Sequence, residues 1–151
     1  MPNYNEQIEK IKKKSFLILK DHKIIVKENK KSWGIRVYYL HFFTLYHIGK
    51  GAEKGLSKGG IAHELSHIEM FKKWGFWKSA WLSFLQFFFG NIRKKIERGA
   101  DLLAIKKGYG KELYKTRKES FSKTDVKIRR LIKKYYLSPA EIKKYTKKQK
   151  N

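Results

Sequence analysis

The motif His-Glu-x-x-His at residues 63–67 constrains this chain more than any other stretch, because its chemistry requires a helix. On an α-helix, side chains four residues apart lie on one face about one turn apart. Apolar residues in 60–73 recur at three- and four-residue intervals, which predicts a helix that carries both His63 and His67. Both imidazoles can then reach one metal ion, and zinc prefers nitrogen ligands of this kind.

The glutamate of the motif has a different role from the histidines. Glu64 is not a ligand in this geometry but lies beside the open zinc position. From there it can take a proton from water and later deliver it to a leaving group. The pattern therefore predicts hydrolysis of a peptide or a similar amide. The alternative is a solvated or buried helix that carries two histidines without a metal.

A second pair of residues supplies the rest of a zinc site. Glu97 and Asp101 are four residues apart in a predicted helix over 91–107, so they also share one face. Glu97 can complete a site of two histidines and one glutamate, which leaves a fourth position for water. Asp101 can accept a hydrogen bond from the far ring nitrogen of a ligand histidine, which fixes its tautomer.

Other residues compete for these roles. Glu97 can instead form an ordinary surface ion pair with Arg93 or Lys94. His41 and His47 are alternative third ligands, and His22 is the remaining histidine. Each of these three, taken alone, is typical of a structural or surface histidine.

The two motifs together resemble those of the gluzincin metallopeptidases. The element Glu97-x-x-Ala100-Asp101 is most similar to that of the CAAX prenyl endopeptidases and the heat-shock membrane peptidases. In size the chain is closer to the minigluzincins, which are small soluble proteins similar to the catalytic core of those membrane enzymes. The resemblance covers roughly residues 37–110, and the chain departs from it in its length, its aromatic insert and its basic tail.

The resemblance implies a specific site. It implies His63, His67 and Glu97 as zinc ligands, Glu64 as general base and acid, and Asp101 as the hydrogen-bond partner of a ligand. It also implies a strand before the active-site helix that pairs with extended substrate. Minigluzincins are regarded as latent, so the resemblance further implies a C-terminal segment able to block the cleft.

The amino-acid composition indicates which cellular compartment and which kinds of binding partner suit this chain. The 151 residues include no cysteine, which excludes disulfides and thiolate metal sites and suits a reducing cytoplasm, with peripheral membrane attachment as an alternative. The polar stretch 1–14 is not a secretory signal. The net charge is +24, of which +13 falls in 106–151. Such a field favours anionic partners: an anionic membrane surface, an acidic polypeptide or nucleic acid. Nucleic acid is the less favoured, because no nucleic-acid-binding motif is recognisable.

The segment 74–89 is unusually aromatic. The uncharged run between Lys78 and Arg93 is fourteen residues long, which is too short to cross a bilayer as a helix. The favoured interpretation is a buried helix behind the zinc site. The alternatives are an amphipathic helix in a membrane interface and a homodimer contact.

Periodicity along the chain predicts an α+β fold. We expect a small antiparallel or mixed sheet of about three to four strands, packed on the active-site helix and the glutamate helix, with extra C-terminal helices. The predicted helices cover 5–14, 111–121 and 124–136, and a last helix begins at Pro139 with Ser138 as its cap. The predicted strands cover 16–19, 24–26, 35–40 and 42–48. A turn is predicted at 33–34 and a glycine-rich loop at 49–60. The strand at 42–48 is expected to form the rim of the cleft.

From these observations we predict two domains and one main activity. Residues 1–110 are predicted as a zinc metallopeptidase-like catalytic domain and 111–151 as a basic helical extension. The predicted function is a zinc-dependent endopeptidase acting on peptides or proteins, with Tyr109 and His47 as alternative donors to the oxyanion. The alternatives are a non-catalytic or autoinhibited zinc protein, and a basic nucleic-acid-binding protein whose motif is incidental.

Overall fold

Seven α-helices and three β-strands make up the described chain, which covers residues 4–33, 35–40, 43–50 and 57–149 of a computed structural model. The helices are α1 (Tyr4–Ser15), α2 (Lys58–Trp74), α3 (Phe76–Phe88), α4 (Gly90–Ala104), α5 (Gly110–Lys123), α6 (Val126–Tyr135) and α7 (Pro139–Lys148). The strands are β1 (Lys23–Trp33), β2 (Ile35–Leu40) and β3 (Phe43–Lys50). A 3₁₀ turn occupies Leu17–Leu19, and a π-helical turn occupies Ile105–Tyr109.

The three strands form one sheet in which β3 is central. β1 runs parallel to β3, with Lys23 opposite Phe43, and β2 runs antiparallel to it, with Ile35 opposite Ile48. Both edges of β3 are therefore paired. The prediction that this strand forms a cleft rim free to pair with substrate is wrong, because β3 lies between β1 and β2 in the sheet.

The α+β prediction is also wrong, since the structure is mostly helical. The sheet contains a single parallel strand pair, and α4 packs chiefly against α2, α3 and α6 rather than under the sheet. The reason lies in the apolar surface that each element offers. β1 is rich in lysine and, among its described side chains at 23–27, Ile24 and Val26 pack against the core, whereas α4 buries Ile96, Ala100 and Ala104 against other helices. Burial of apolar area thus favours packing of helix on helix.

The predicted strand at 16–19 is a 3₁₀ turn instead. Phe16 and Leu19 are fully buried, while Leu17 and Ile18 are exposed. Two buried residues three positions apart fit a helical turn, whereas a strand would alternate burial every second residue. The predicted strands at 24–26 and 35–40 are confirmed, because the first lies within β1 and the second coincides with β2.

Helix α2 lies at the centre of the core, as the apolar periodicity predicts. Ile61, Leu65 and Ile68 are fully buried, and Ser57 caps the helix by accepting the Gly60 N–H at 3.2 Å. A Cβ at Gly59 would lie 2.5 Å from two backbone atoms of α5. The two helix backbones therefore approach so closely there that only glycine fits.

The C-terminal helices share this core. Leu113, Leu137 and Ile142 belong to the same buried cluster as the apolar face of α2. The predicted start of α7 is confirmed: Ser138 and Glu141 form a reciprocal capping box. A domain boundary between 110 and 111 stays a prediction. None of the described helices combines the length and apolar character needed to cross a bilayer.

The aromatic segment is a helix, but it is not buried. On α3, Trp77 and Phe87 are each 84% exposed, and four further aromatic side chains are more than half exposed. The favoured interpretation of this segment as a core helix is therefore wrong. Of the predicted loop at 49–60, residues 51–56 lie outside the described residues, as does position 34 of the predicted turn.

Candidate metal centre

Helices α2 and α4 bring three donor atoms together. The Nε2 atoms of His63 and His67 are 3.1 Å apart, and the Glu97 Oε2 lies 3.3 Å from the first and 3.2 Å from the second. The three atoms form a nearly equilateral triangle. Their side chains are only 8%, 14% and 13% exposed, so the triangle is largely shielded from water.

These residues fit zinc in both chemistry and spacing. Zinc–ligand bonds of about 2.0–2.1 Å in a tetrahedron place neighbouring ligand atoms about 3.3–3.4 Å apart. The separations of 3.1–3.3 Å among the three donors lie close to that value. Two imidazole nitrogens and one carboxylate oxygen are also a ligand set that catalytic zinc sites use, with the fourth position left open.

Asp101 fixes the orientation of the first histidine. The His63 Nδ1–H donates to Asp101 Oδ1 at 2.8 Å, which directs the Nε2 atom at the cluster. Asp101 is fully buried and accepts two further bonds, from Arg117 Nη2 and from the Leu137 N–H, both at 2.8 Å. Its carboxylate therefore joins α2, α5 and the segment that precedes α7.

The metal-free cluster carries strong electrostatic coupling. Burial alone would lower the pKa of His63, but the charges and hydrogen bonds of Asp101 and Glu97 outweigh it and raise this pKa to about 10. Burial would raise the pKa of Glu97, yet hydrogen bonds from both histidines hold it well below its usual range. A cation entering the cluster therefore competes with a proton on His63.

Glu64 lies close to the cluster without joining it. Its negative charge raises the pKa of His63, of the buried Tyr46 and of Tyr136, in each case after larger effects of burial or of other residues. Its carboxylate is therefore near enough to act electrostatically on one ligand histidine and on two tyrosines.

The structure gives different outcomes for the other histidines and for the alternative ion pair of Glu97. The buried His22 is hydrogen-bonded through Nε2 to Thr44 Oγ1 at 2.9 Å, which is a structural role. The Arg93 Nε lies 3.9 Å from the other oxygen of Glu97, so the surface ion pair is present but long. His41 and the side chain of His47 lie outside the described residues.

Two residues near the cluster were not predicted. The ring of Tyr136 lies 5.6 Å from the ring of His63, and the Arg117 guanidinium lies 4.3 Å from the ring of Tyr136. The predicted donor Tyr109 is engaged elsewhere, since its hydroxyl is 3.1 Å from Ser15 Oγ. Burial, Glu97 and Glu64 all raise the pKa of Tyr136, so its phenol stays protonated.

Comparison with protein families, with curated proteins and with solved structures finds no match for this chain. Membership of the gluzincin group therefore stays a prediction, carried by the residues of the two motifs at 63–67 and 97–101.

Proposed function

We propose that the chain is a zinc-dependent endopeptidase of gluzincin type. The observation that carries this proposal is the triangle of His63, His67 and Glu97, whose donor atoms are 3.1–3.3 Å apart. The bond from His63 to Asp101 and the nearby Glu64 carboxylate add support, because both are features that zinc hydrolysis needs.

Each residue of the site has a distinct task. When bound, zinc would polarise the scissile carbonyl and make a bound water more acidic. His63, His67 and Glu97 hold the ion, and Asp101 keeps the His63 ring in the tautomer that can do so. Glu64 accepts the proton of the attacking water and passes it to the leaving amine.

Tyr136 is the candidate donor to the oxyanion. Its phenol stays protonated because burial, Glu97 and Glu64 raise its pKa, so it can donate a hydrogen bond to developing negative charge. The Arg117 guanidinium packs 4.3 Å from the centre of its ring and limits its movement. Replacement of the phenol by Phe should lower kcat by about 10²–10³-fold with little change in KM.

The first test is zinc content together with the Glu64→Gln variant. We expect about one zinc per chain after dialysis against metal-free buffer, and a Glu64→Gln variant that keeps the zinc but loses hydrolysis of casein. Glu119→Gln on α5 is the control and should retain activity, because it changes a similar carboxylate away from the motif. Equal activity in Glu64→Gln would contradict the mechanism, and absence of zinc uptake would remove the proposal.

A second candidate is an autoinhibited form of the same enzyme. Tyr136 packs beside His63, and Leu137 is tied to Asp101, so this segment is placed to restrict access to the site. Removal of everything after Tyr136 would also delete the core residues Leu137 and Ile142, so it would test folding rather than latency. The Tyr136→Ala variant separates the two roles: activity rises if the ring blocks the cleft and falls if the phenol is a donor.

A further inference from the structure

Helix α3 presents a continuous aromatic face to solvent. Trp77, Trp81, Phe84, Phe87 and Phe88 are between 55% and 84% exposed. At 100° per residue these five positions fall within an arc of about 120°. They are therefore not scattered surface residues but one side of a single helix.

The opposite side of α3, which faces the protein, mixes polar residues with the half-buried Leu82 and Leu85. Ser79 is buried and its hydroxyl donates to the Phe71 carbonyl at 2.9 Å, and Ser83 and Gln86 on the same side are half-buried. A helix on the surface of a globular protein normally turns its apolar stripe inward. The aromatic side of α3 faces solvent instead, so packing within the described chain does not explain these side chains.

The sequence on both sides of the aromatic face is strongly basic, although Lys73 pairs with Glu69 and Arg93 lies near Glu97. Between positions 70 and 96 the sequence carries six cations and no carboxylate. The cations are Lys72, Lys73, Lys78, Arg93, Lys94 and Lys95. They lie at the end of α2, at the start of α3 and in the first two turns of α4, which places them at both ends of the face. The side chain of Lys134 on α6 also reaches Gly90, at the junction of α3 and α4.

We propose that α3 is a membrane-docking helix that lies flat in the headgroup region of a bilayer containing anionic phospholipid. Tryptophan and phenylalanine partition into this region, and flanking lysine and arginine are attracted to anionic headgroups. Charge selects this occupant over a second copy of the chain, because two copies would bring net charges of +24 and the same cations together. The inference uses no metal and is independent of the proposed activity.

Docking would also set the position of the metal centre. Helix α3 packs against α2 and α4, the two helices that carry the three donor residues. A bilayer bound to the outer face of α3 would therefore hold that centre at a fixed distance from the membrane surface.

The test is co-sedimentation of the full chain with vesicles. We expect binding to phosphatidylcholine vesicles with about one-third phosphatidylglycerol, and at least tenfold weaker binding to pure phosphatidylcholine. The triple variant Trp77→Ser, Trp81→Ser, Phe87→Ser should bind at least tenfold more weakly than the parent. These side chains are exposed, so circular dichroism should report an unchanged fold.

Two control variants make the result specific. Leu17→Ser, Val126→Ser and Tyr145→Ser together remove three exposed apolar side chains from three other elements and should leave vesicle binding unchanged. A second pair of variants tests the role of charge. Replacement of Lys78, Lys94 and Lys95 by Gln should weaken vesicle binding. Replacement by Gln of three exposed lysines of α7, which are Lys143, Lys144 and Lys147, should leave it unchanged.

Three results would overturn the proposal. One is failure to bind either vesicle. Another is equal binding by the α3 triple variant, which would assign the effect to the basic tail alone. A third is a dimer in sedimentation equilibrium that the triple variant dissociates while vesicles have no effect, which would assign the face to a second copy.

Discussion

Replacement of Asp101 by Asn tests whether one carboxylate supports both the metal centre and the C-terminal segment. Asp101 is fully buried and accepts hydrogen bonds from His63, Arg117 and the Leu137 N–H, each at 2.8 Å. An asparagine offers one acceptor oxygen and one NH₂ donor. In either orientation of the amide, at least one buried donor loses its acceptor.

The expected cost follows from these contacts. An unsatisfied buried donor costs about 1–3 kcal/mol. The side chain of Arg117 is only 11% exposed and would lose its counter-charge, and removal of one partner of a buried ion pair costs about 3–5 kcal/mol. Because the two effects share one substitution, we expect a loss of about 3–5 kcal/mol in the free energy of unfolding.

The measurement is urea unfolding of metal-free protein, followed by circular dichroism at neutral pH. Asp125→Asn is the matched control, since Asp125 caps α6 at an exposed position where asparagine serves equally well. We expect it to change stability by less than about 0.5 kcal/mol. A loss for Asp101→Asn below about 1 kcal/mol would refute the idea that this carboxylate holds the segment in place.

Three further predictions use other contacts. Gly59→Ala should lower the free energy of unfolding by about 1–3 kcal/mol, because its Cβ would lie 2.5 Å from the backbone of α5; Gly90→Ala, with 3.4 Å of room, is the control, and equal values would contradict the close approach. The hydrogen bond from Arg98 lowers the pKa of Glu141 to about 2, although partial burial of the carboxylate opposes this shift. The ionised Glu141 therefore contributes to stability above about pH 4.5, and this contribution is lost as the pH falls through 2. Glu141→Gln should therefore destabilise the protein by less than about 1 kcal/mol at pH 7 and by less at pH 2, and an equal difference at both values in thermal melts would refute this. Zinc at 100 times its Kd should raise the free energy of unfolding by about 2.7 kcal/mol, and His67→Ala should abolish that gain in calorimetry.

The positions of the donor residues could be predicted because they depend on local rules. Histidines four apart share a helix face wherever the helix lies, and the apolar periodicity of 60–73 matches α2 (Lys58–Trp74) closely. Glu97 and Asp101 follow the same rule on α4. Only the chemistry of the donors predicts that the two helices lie close together, since nothing in the spacing of the two motifs requires it.

Tyr136 and Arg117 could not be found in this way. Their proximity to the cluster depends on long-range packing, in which Leu137 is tied to a residue 36 positions earlier. No spacing rule connects such positions. The fold class failed for a related reason: the sequence predicts strands locally but does not reveal that α4 packs on helices rather than on the sheet.

The sequence does not predict the orientation of α3, because a high aromatic content is typical of buried helices. The spacing of residues in α3 is compatible with either its aromatic side or its opposite side facing the protein. Ser79, Ser83 and Gln86, at steps of four and three residues, form a polar stripe that marks the inward side. Since helices rarely bury such a stripe, only the three-dimensional structure reveals it.

The left-handed turn at Gly108, where φ is +93°, bears on the order in which the protein folds. It lets α5 follow α4 directly, so Asp101 and Arg117 are only 16 positions apart, whereas His63 and Asp101 are 38 apart. Short loops close at lower entropic cost, and local contacts form early. We therefore expect the two charged residues to pair before α2 delivers its histidines. Zinc would then bind a chain that has already folded, and stopped-flow refolding rates should be the same with and without the metal.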